Sequence, residues 1–524
     1  MASKIKVDTL ETANGSGSIT INNPINTAGI TSVTLGSGNF VAGSTAGDSI
    51  VSGGDNNTLV GTNAGTAVTT GDFNTALGSQ ALAQTNTAGQ NTAIGGYAMY
   101  YNTTGANNTA VGLQALLDNT TGDNNVSVGY NSLTNNTTGA ENVAVGYGSL
   151  GANTTAENNV AVGREALTTN TTGASNVALG RNALYANTTA SNNTAVGYVA
   201  LTANTTGVEN TAVGMRALTT NTTGDDNAAV GKDALRYNTT GINNTATGVA
   251  ALRDNTTANY NTAMGMYALA ANTTGANNTA TGYQALYANT TGNNNTASGV
   301  SASQSNTTGQ RNASFGKSAL GAVTTGQYNC GFGAFAGTNL VTGNYNTAIG
   351  EEALASGNSG ATNNTVLGYA AGADGMLNIT SDSNYLCVGN NATSNAVVKV
   401  SWTVGSDERD KTDIATLPSS AGLSFVNALR PVTYVWDNRD NYHAWGSEQY
   451  GERDHSKKST EKQLGFIAQE VKAVETSMGW TDDHVVNTSN EESLKLQHDQ
   501  LIPILTKAIQ ELSAKNDALE TQNA

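Results

Sequence analysis

The sequence predicts a mainly β protein: a parallel β-solenoid or β-roll shaft built from 17-residue repeats, followed by a small α+β domain that ends in a helix. Three observations support this. A repeat of fixed length fills most of the chain. The composition (60 Gly, 12% charged and 6% aromatic residues) leaves few large side chains for an ordinary core. Near residue 402 the composition changes abruptly, and charges, Trp and helix formers appear.

The repeat is defined by glycine and asparagine. Glycine recurs every 17 residues from Gly61 to Gly350, and an asparagine stands four residues before each, from Asn57 to Asn346. The consensus is N-T-A-V-G-x-x-A-L-x-x-N-T-T-G-x-x. A spacing without insertions predicts stacked strands, because a slip of one residue would move every side chain to the opposite face.

The residue types within one unit predict its local structure. N-T-A-V-G alternates small and β-branched residues, as in a short strand with Ala110 and Val111 on opposite faces. The pair Ala115-Leu116 is a second inward anchor. N-T-T-G is turn chemistry, since Asn and Gly tolerate left-handed conformations. The repeated Asn before each strand predicts a hydrogen-bonded ladder. The N-T-T tripeptides also match the N-glycosylation sequon, and we interpret them as turns.

Charge and composition argue against several functions. The formal net charge is −16, and residues 401–524 hold 20 of the 39 acidic and 12 of the 23 basic residues. No basic stripe exists, so we expect no nucleic-acid binding. Cys330, Cys387 and four scattered His form no ligand pattern, so neither a metal nor a cofactor is expected. The chain has no apolar run of membrane-spanning length and no apolar leader after Met1. We therefore expect that the protein does not insert into a membrane and that it is assembled in a cytoplasm.

The chain divides into four predicted segments. Residues 1–40 form an N-terminal segment, either an attachment segment or a disordered leader; residues 41–370 form the repeat shaft, 371–405 a β-stem and 406–524 the C-terminal domain. Within the stem, residues 385–389 and 396–404 have the pattern of strands.

The shaft repeat resembles the head of trimeric autotransporter adhesins, whose motif reads roughly N-(S/T)-x-A-(I/V)-G. Copies such as Asn108–Leu116 and Asn193–Leu201 carry the resemblance, over about residues 40–370. It implies a left-handed parallel β-roll assembled as a homotrimer. The repeat of 17 is longer than is usual for those heads, and an interleaved triple β-helix is the alternative.

The C-terminal part carries an ordered set of four motifs: Ser406–Ile414 (S-D-E-R-D-K-T-D-I), Leu429–Tyr434 (L-R-P-V-T-Y), Leu464–Val471 (L-G-F-I-A-Q-E-V) and Leu501–Leu512. This set resembles the peptidase-type intramolecular chaperone at the end of endosialidase tailspikes and other phage fibres. The resemblance implies one self-cleavage between Gly405 and Ser406, with Ser406 as nucleophile and Lys411 as its base. Asp407 and Arg409 would support the reactive loop. No other catalysis is expected.

Near the end of the chain, residues alternately three and four apart are apolar except for His498 and Lys515: Leu494, His498, Leu501, Leu505, Ala508, Leu512, Lys515 and Leu519. This spacing indicates an a/d stripe for trimerisation. The alternative is one amphipathic helix packed on its own domain.

Together, the two resemblances imply a bacteriophage tail fibre, a component of the virion assembled in the host cytoplasm. Its N-terminus would join a tail or baseplate protein. The shaft would bind a host receptor, a glycan or an outer-membrane component. Candidate contact residues follow the repeat glycines: Tyr130, Arg164, Tyr198, Met215 and Tyr283. A surface adhesin is one alternative. The other, a glycan-degrading tailspike, would need paired carboxylates, and acids in the repeat are sparse.

Overall fold

A computed structural model describes most of the chain. The described residues are 37–355, 360–373, 383–390, 392–393, 411, 414–437, 455, 458–480, 484–488 and 494–523. They fall into two compact units, residues 1–351 with 358–364, and residues 352–357 with 365–524.

The first unit is a parallel β-solenoid in which every coil contributes one three-residue strand. Each strand pairs in parallel with the strand of the next coil, residue for residue, as in Thr194↔Thr211. The strands β1–β19 are Phe40–Ala42, Thr58–Val60, Thr75–Leu77, Thr92–Ile94, Thr109–Val111, Val126–Val128, Val143–Val145, Val160–Val162, Val177–Leu179, Thr194–Val196, Thr211–Val213, Ala228–Val230, Thr245–Thr247, Thr262–Met264, Thr279–Thr281, Thr296–Ser298, Ala313–Phe315, Cys330–Phe332 and Thr347–Ile349. The predicted solenoid is confirmed.

The core of the solenoid is a stack of small side chains with one leucine per coil. In a typical coil, Ala110, Ala115 and Leu116 are completely buried, and the same three positions are buried along the shaft. The middle residue of each strand points inward, and its two neighbours point outward. The predicted inward role of the A-L pair is therefore confirmed.

Two asparagine ladders replace much of the apolar core that this chain lacks. In the predicted one, the side-chain oxygen of Asn159 accepts the backbone N–H of Asn176 (3.0 Å). Asn176 in turn donates to the carbonyl of Ala190 (2.9 Å). The second ladder uses the Asn of N-T-T-G: Asn119 donates to the side chain of Asn102 (2.8 Å) and to the carbonyl of Gly122 (2.9 Å). Both sets of side chains are buried.

The left-handed positions of the coil differ from the predicted ones. Positive φ angles occur at Asn107 (59°), Gly112 (138°), Gln114 (58°) and Leu116 (53°), and recur in equivalent coils, whereas Asn102 and Gly105 lack them. Space is tight at Gly105, where a Cβ would lie 2.5 Å from the carbonyl oxygen of Gly122, although the equivalent position is alanine in other coils, as at Ala156, Ala190 and Ala258. The N-T-T-G turn is thus closed by its buried Asn, and burial of the Leu side chain offsets the unfavourable backbone conformation.

The second unit contains two further parallel strands, β20 (Thr365–Leu367) and β21 (Leu386–Val388), paired in the manner of the shaft. Part of the predicted stem strand at 385–389 is therefore confirmed, and residues 396–404 lie outside the described residues. The remaining elements are β22 (Val432–Tyr434), β23 (Gln463–Gly465), β24 (Val486–Asn487), β25 (Lys495–Leu496), α1 (Leu423–Ala428), α2 (Ala468–Ser477) and α3 (Leu501–Asn523).

Within the described residues, no helix combines the length and the apolar character that crossing a membrane requires. The same residues contain no group of three or more His, Cys, Asp or Glu side chains placed to hold a metal ion. Burial raises the pKa of the Cys330 thiol above its usual value.

Candidate functional site

The predicted reactive segment is described only at Lys411, whose side chain is exposed. Gly405, Ser406, Asp407 and Arg409 lie outside the described residues. The distance between the Ser406 hydroxyl and the Lys411 amine is therefore not part of the structure. The Ser–Lys dyad and the cleavage position stay predictions.

The core of the C-terminal region combines α1 and Trp480, which lie outside the predicted motifs, with residues of three motifs, and Leu429 is the contribution of the second motif. Phe425 of α1 is fully buried and stacks on Trp480, with ring centroids 4.9 Å apart. Val471 of α2 and Ile504 of α3 are buried in the same cluster. The last helix therefore packs on its own domain along one face.

The second and third motifs meet in a short antiparallel pair. β22 pairs with β23, with Val432 opposite Gly465 and Tyr434 opposite Gln463. A Cβ on Gly465 would lie 3.1 Å from the Tyr434 ring, so the ring packs closely over the glycine of G-F-I-A-Q-E-V. Arg430 and Glu470 form a bidentate ion pair across the same two motifs. That hydrogen-bonded pair lowers the pKa of Glu470 and raises that of Arg430.

The residues of the final motif make the contacts between α3 and α1. Ala508 is buried, and Glu511 accepts a hydrogen bond from the backbone N–H of Leu423 (2.9 Å), at the start of α1. A Cβ on Gly422 would lie 2.5 Å from the Glu511 carboxylate. The A-I-Q-E-L segment thus holds α1 against the last helix.

A buried carboxylate fixes the loop before β24. Glu475 is fully buried, and its Oε1 accepts the backbone N–H of Val485 (2.6 Å). Its Oε2 lies 3.6 Å from the Lys472 amine and has no hydrogen-bond partner. Burying a carboxylate is costly unless it is paired, so this residue is a positioning element for residues 484–487. Sequence analysis missed it, because a Glu in the helix V-E-T-S gives no sign of burial.

A pocket of about 390 Å³ lies beside this loop. Leu417 and Pro418 form one wall, Trp480 and His484 another, and Pro503 of α3 closes it.

The predicted a/d stripe of the last helix is only partly correct. The helix begins at Leu501, so Leu494 and His498 lie outside it. Leu501 and Ala508 are buried against the domain, whereas Leu505 and Leu512 are exposed. At 100° per residue all four lie within about 60° of one another, and Leu505 and Leu512 are further round the helix from the buried Ile504 than Leu501 and Ala508 are. An exposed stripe adjoins the buried side in the single chain, with spacings of three, four, three and seven residues: Ile502, Leu505, Ile509, Leu512 and Leu519.

The predicted receptor contacts do line up. Tyr130, Arg164, Tyr198, Met215 and Tyr283 each follow a repeat glycine by one residue, and so do Tyr147 and Arg181. Their side chains are well exposed, as Tyr130 (43%) and Tyr198 (49%) show. Tyr130 and Tyr147 have centroids 5.6 Å apart, and the Arg164 guanidinium lies 5.5 Å from the Tyr147 ring. Neighbouring coils thus present a column of aromatic and guanidinium groups.

Two acidic residues of the shaft are bound by arginine side chains. Asp233 binds Arg216 (2.7 Å) and lies 3.6 Å from Arg236. Asp254 binds Arg253 (2.7 Å). These carboxylates are held by cations of their own chain.

Comparison with known families bears on the C-terminal region. Residues 406–480 match the peptidase S74 family, described as chaperone of endosialidase. This C-terminal chaperone region and the solenoid shaft together fit a protein of the tailspike or tail-fibre type. The match begins at Ser406, the residue that the motifs single out. No curated protein matches the chain.

Proposed function

We propose that the protein is a homotrimeric bacteriophage tail fibre whose C-terminal chaperone region aligns three chains and is then removed by self-cleavage between Gly405 and Ser406. The match to the endosialidase chaperone family over residues 406–480 carries this proposal. In the virion, the N-terminal segment joins the tail or baseplate, and the shaft contacts the host surface.

The chemistry requires few groups. The Ser406 hydroxyl attacks the Gly405 carbonyl carbon, and its proton passes to the Lys411 amine. Lys411 then gives this proton to the Ser406 nitrogen as the C–N bond breaks, which frees the amine of Ser406 and leaves an ester between Gly405 and the Ser406 oxygen. Water then hydrolyses the ester. A lysine acts as a base only when burial lowers its pKa, and Lys411 is exposed in the single chain. Assembly of the chains would supply that burial, so cleavage would report correct assembly.

Assembly before cleavage has a physical purpose. A solenoid made of non-local strand pairs folds slowly, and three chains must also find a common register. The exposed stripe of α3 offers a seam for a three-stranded coiled coil. Once the chaperone region has been released, the barrier to unfolding of the shaft would be high, which makes the shaft kinetically stable.

The cleavage is tested by intact mass and denaturing electrophoresis of the full-length protein. Wild type should yield fragments 1–405 and 406–524, whereas Ser406→Ala and Lys411→Ala should remain single chains. Lys458→Ala, an exposed lysine outside the reactive segment, is the matched control and should be cut as wild type. Cleavage of Ser406→Ala at the wild-type rate would refute the dyad.

Receptor binding is proposed for the column after the repeat glycines. Stacked tyrosines with adjacent guanidinium groups suit the faces and hydroxyl groups of a sugar chain. Tyr130→Ala with Tyr147→Ala should lower binding to a bacterial-polysaccharide array at least tenfold, and Tyr260→Ala, an exposed tyrosine elsewhere on the shaft, should not. Equal polysaccharide binding by both variants would show that the receptor does not bind at this column.

A further inference from the structure

Half of the basic residues of the shaft lie in three consecutive coils. The sequence between residues 37 and 373 holds eight of them: Arg164, Arg181, Arg216, Lys232, Arg236, Arg253, Arg311 and Lys317. Four fall between residues 216 and 253, and each of these lies between a repeat glycine and the N-T-T of its own coil. We call these four residues, together with the aspartates that bind them, the basic cluster: Arg216, Lys232, Arg236, Arg253, Asp233 and Asp254.

The two aspartates hold two of the guanidinium groups in place. Asp233 accepts two hydrogen bonds from Arg216 of the preceding coil, at 2.7 and 2.9 Å. Asp254 accepts two from Arg253, both at 2.7 Å. Because both pairs are bidentate, these guanidinium groups have a fixed orientation before any ligand binds.

Two cations of the basic cluster are not held in this way. Lys232 makes no ion pair with any residue that the structure describes. Arg236 has only a long contact of 3.6 Å with Asp233, whose carboxylate already binds Arg216, and its side chain is 30% exposed. Four cations and two carboxylates give the cluster a formal charge of +2. The other carboxylates of these three coils, Asp225 and Asp226, lie in the segment that precedes a strand.

A tyrosine lies among the cations of the basic cluster. The Arg236 guanidinium is 4.9 Å from the centroid of the Tyr237 ring, which is 40% exposed. The pKa values of Arg216 and Arg253 are raised chiefly by their aspartate hydrogen bonds, and the Tyr237 phenol adds to this in both. Tyr237 is thus close to all three arginines, and it offers an apolar ring with a polar tip beside them.

We infer that the basic cluster binds a phosphate group carried by a sugar chain of the host surface. The charge of +2 matches that of a phosphate monoester, about −1.5 to −2 at pH 7, whereas a carboxylate carries a single charge. The fork of Arg236 and the ammonium of Lys232 supply the donors that phosphate oxygens accept. Tyr237 contacts the sugar that carries the phosphate. The inference rests on the proposed receptor binding by the shaft and names the chemical class of the receptor at these coils.

The extent of the basic cluster favours a single phosphate group over a nucleic acid. Three coils at a spacing of about 4.8 Å span about 10 Å along the shaft. The next basic residues along the chain are Arg181 and Arg311, two and three coils beyond the cluster. A nucleic-acid strand carries phosphates along its whole length and is bound by a positively charged groove that follows it.

The test compares two forms of one probe with the full-length protein. A panel of bacterial lipopolysaccharides is immobilised, each either intact or after removal of its phosphate groups with aqueous hydrofluoric acid, and binding is measured by surface plasmon resonance. We expect at least one intact lipopolysaccharide to bind at least tenfold more tightly than its dephosphorylated form. Equal binding of the two forms across the panel would overturn the inference.

Two arginine variants separate the basic cluster from the general charge of the shaft. Arg236→Gln and Arg311→Gln each remove one positive charge and keep a polar side chain. Arg311 lies outside the cluster, with its guanidinium 5.1 Å from the Tyr328 ring. We expect Arg236→Gln to lose at least fivefold in affinity for the intact form alone, and Arg311→Gln to bind both forms as wild type does. Equal losses in the two variants would show that the phosphate is not bound at this cluster.

A protection experiment on the wild-type protein gives a second reading that needs no variant to fold. Phenylglyoxal modifies guanidinium groups, and peptide mass spectrometry follows the modification of Arg236 and Arg311 separately. The intact lipopolysaccharide that binds should slow the modification of Arg236 at least fivefold and leave that of Arg311 unchanged. Equal modification of Arg236 with and without this lipopolysaccharide would contradict the inference.

The outcomes separate this inference from the proposed function. Tight binding that does not depend on phosphate would overturn the inference and leave receptor binding by the shaft standing. Binding to no lipopolysaccharide and to no polysaccharide would overturn both the inference and the proposed receptor binding. Self-cleavage between Gly405 and Ser406 is measured by fragment mass and does not depend on either result.

Discussion

At the scale of single residues, buried asparagines stabilise the shaft through hydrogen bonds, where other proteins rely on large apolar side chains. Each ladder Asn satisfies backbone groups of two coils, as Asn176 does with Asn193 and Ala190. The second ladder ends at Asn306, whose Oδ1 has no partner because Val323 occupies the next rung. Stability is thus distributed over many equivalent buried hydrogen bonds.

Removing one ladder side chain should therefore be costly. Asn176→Ala leaves the Asn193 N–H without its acceptor and the Ala190 carbonyl without that donor, at about 1–3 kcal/mol for each buried group. Hydrogen–deuterium exchange should show faster exchange of the Asn193 amide and its neighbouring coils. Thr189→Ala, an exposed side chain of the adjacent coil, should alter stability by less than about 0.5 kcal/mol. Unchanged exchange at Asn193 would contradict the ladder's role.

At the scale of elements, the C-terminal region is held by contacts between its sequence motifs. The Arg430–Glu470 pair joins the segment before β22 to α2, and Glu511 joins α3 to α1. These contacts explain why the motifs occur together, because each supplies a partner for another.

The Arg430–Glu470 pair predicts a pH dependence. Because the folded pKa of Glu470 lies below its ordinary value of 4.5, the pair stabilises the fold above that pH and the contribution is lost as pH falls through the folded value. All four tryptophans lie at or beyond Trp402, so tryptophan fluorescence during thermal unfolding reports on this part of the chain. Glu470→Gln should lower the midpoint at pH 7 and flatten its decline below pH 4.5. Glu461→Gln, an exposed carboxyl, should follow the wild-type profile.

At the scale of the whole molecule, the solenoid behaves as a one-dimensional stack. Each strand pairs only with the strands before and after it, so the stability of the shaft is a sum of coils and their contacts. The strict spacing keeps both ladders and the leucine stack in line.

Whole-coil deletions should test this. Removing residues 160–176 deletes 17 residues and joins coils in register, so the shaft should shorten by about 4.8 Å and still fold. Removing residues 160–175 deletes only 16 residues, so the coil at the junction is one residue too long. The side chains that follow the junction in that coil then point to the wrong face. Circular dichroism and limited proteolysis should show an intact shaft in the first variant and a cleavage-sensitive junction in the second. Equal protease resistance would argue against strict register.

The sequence by itself determined the solenoid, its 17-residue period, the inward Ala-Leu pair, the first Asn ladder and the C-terminal motif set, because each depends on a pattern repeated or ordered along the chain. The second ladder could have been found, since an Asn stands every 17 residues from Asn102 to Asn306. The burial of Glu475, the division of α3 into a packed and an exposed stripe, and the left-handed leucines were decided only by tertiary structure. They depend on which neighbours surround a side chain in space, and linear spacing carries no information about that.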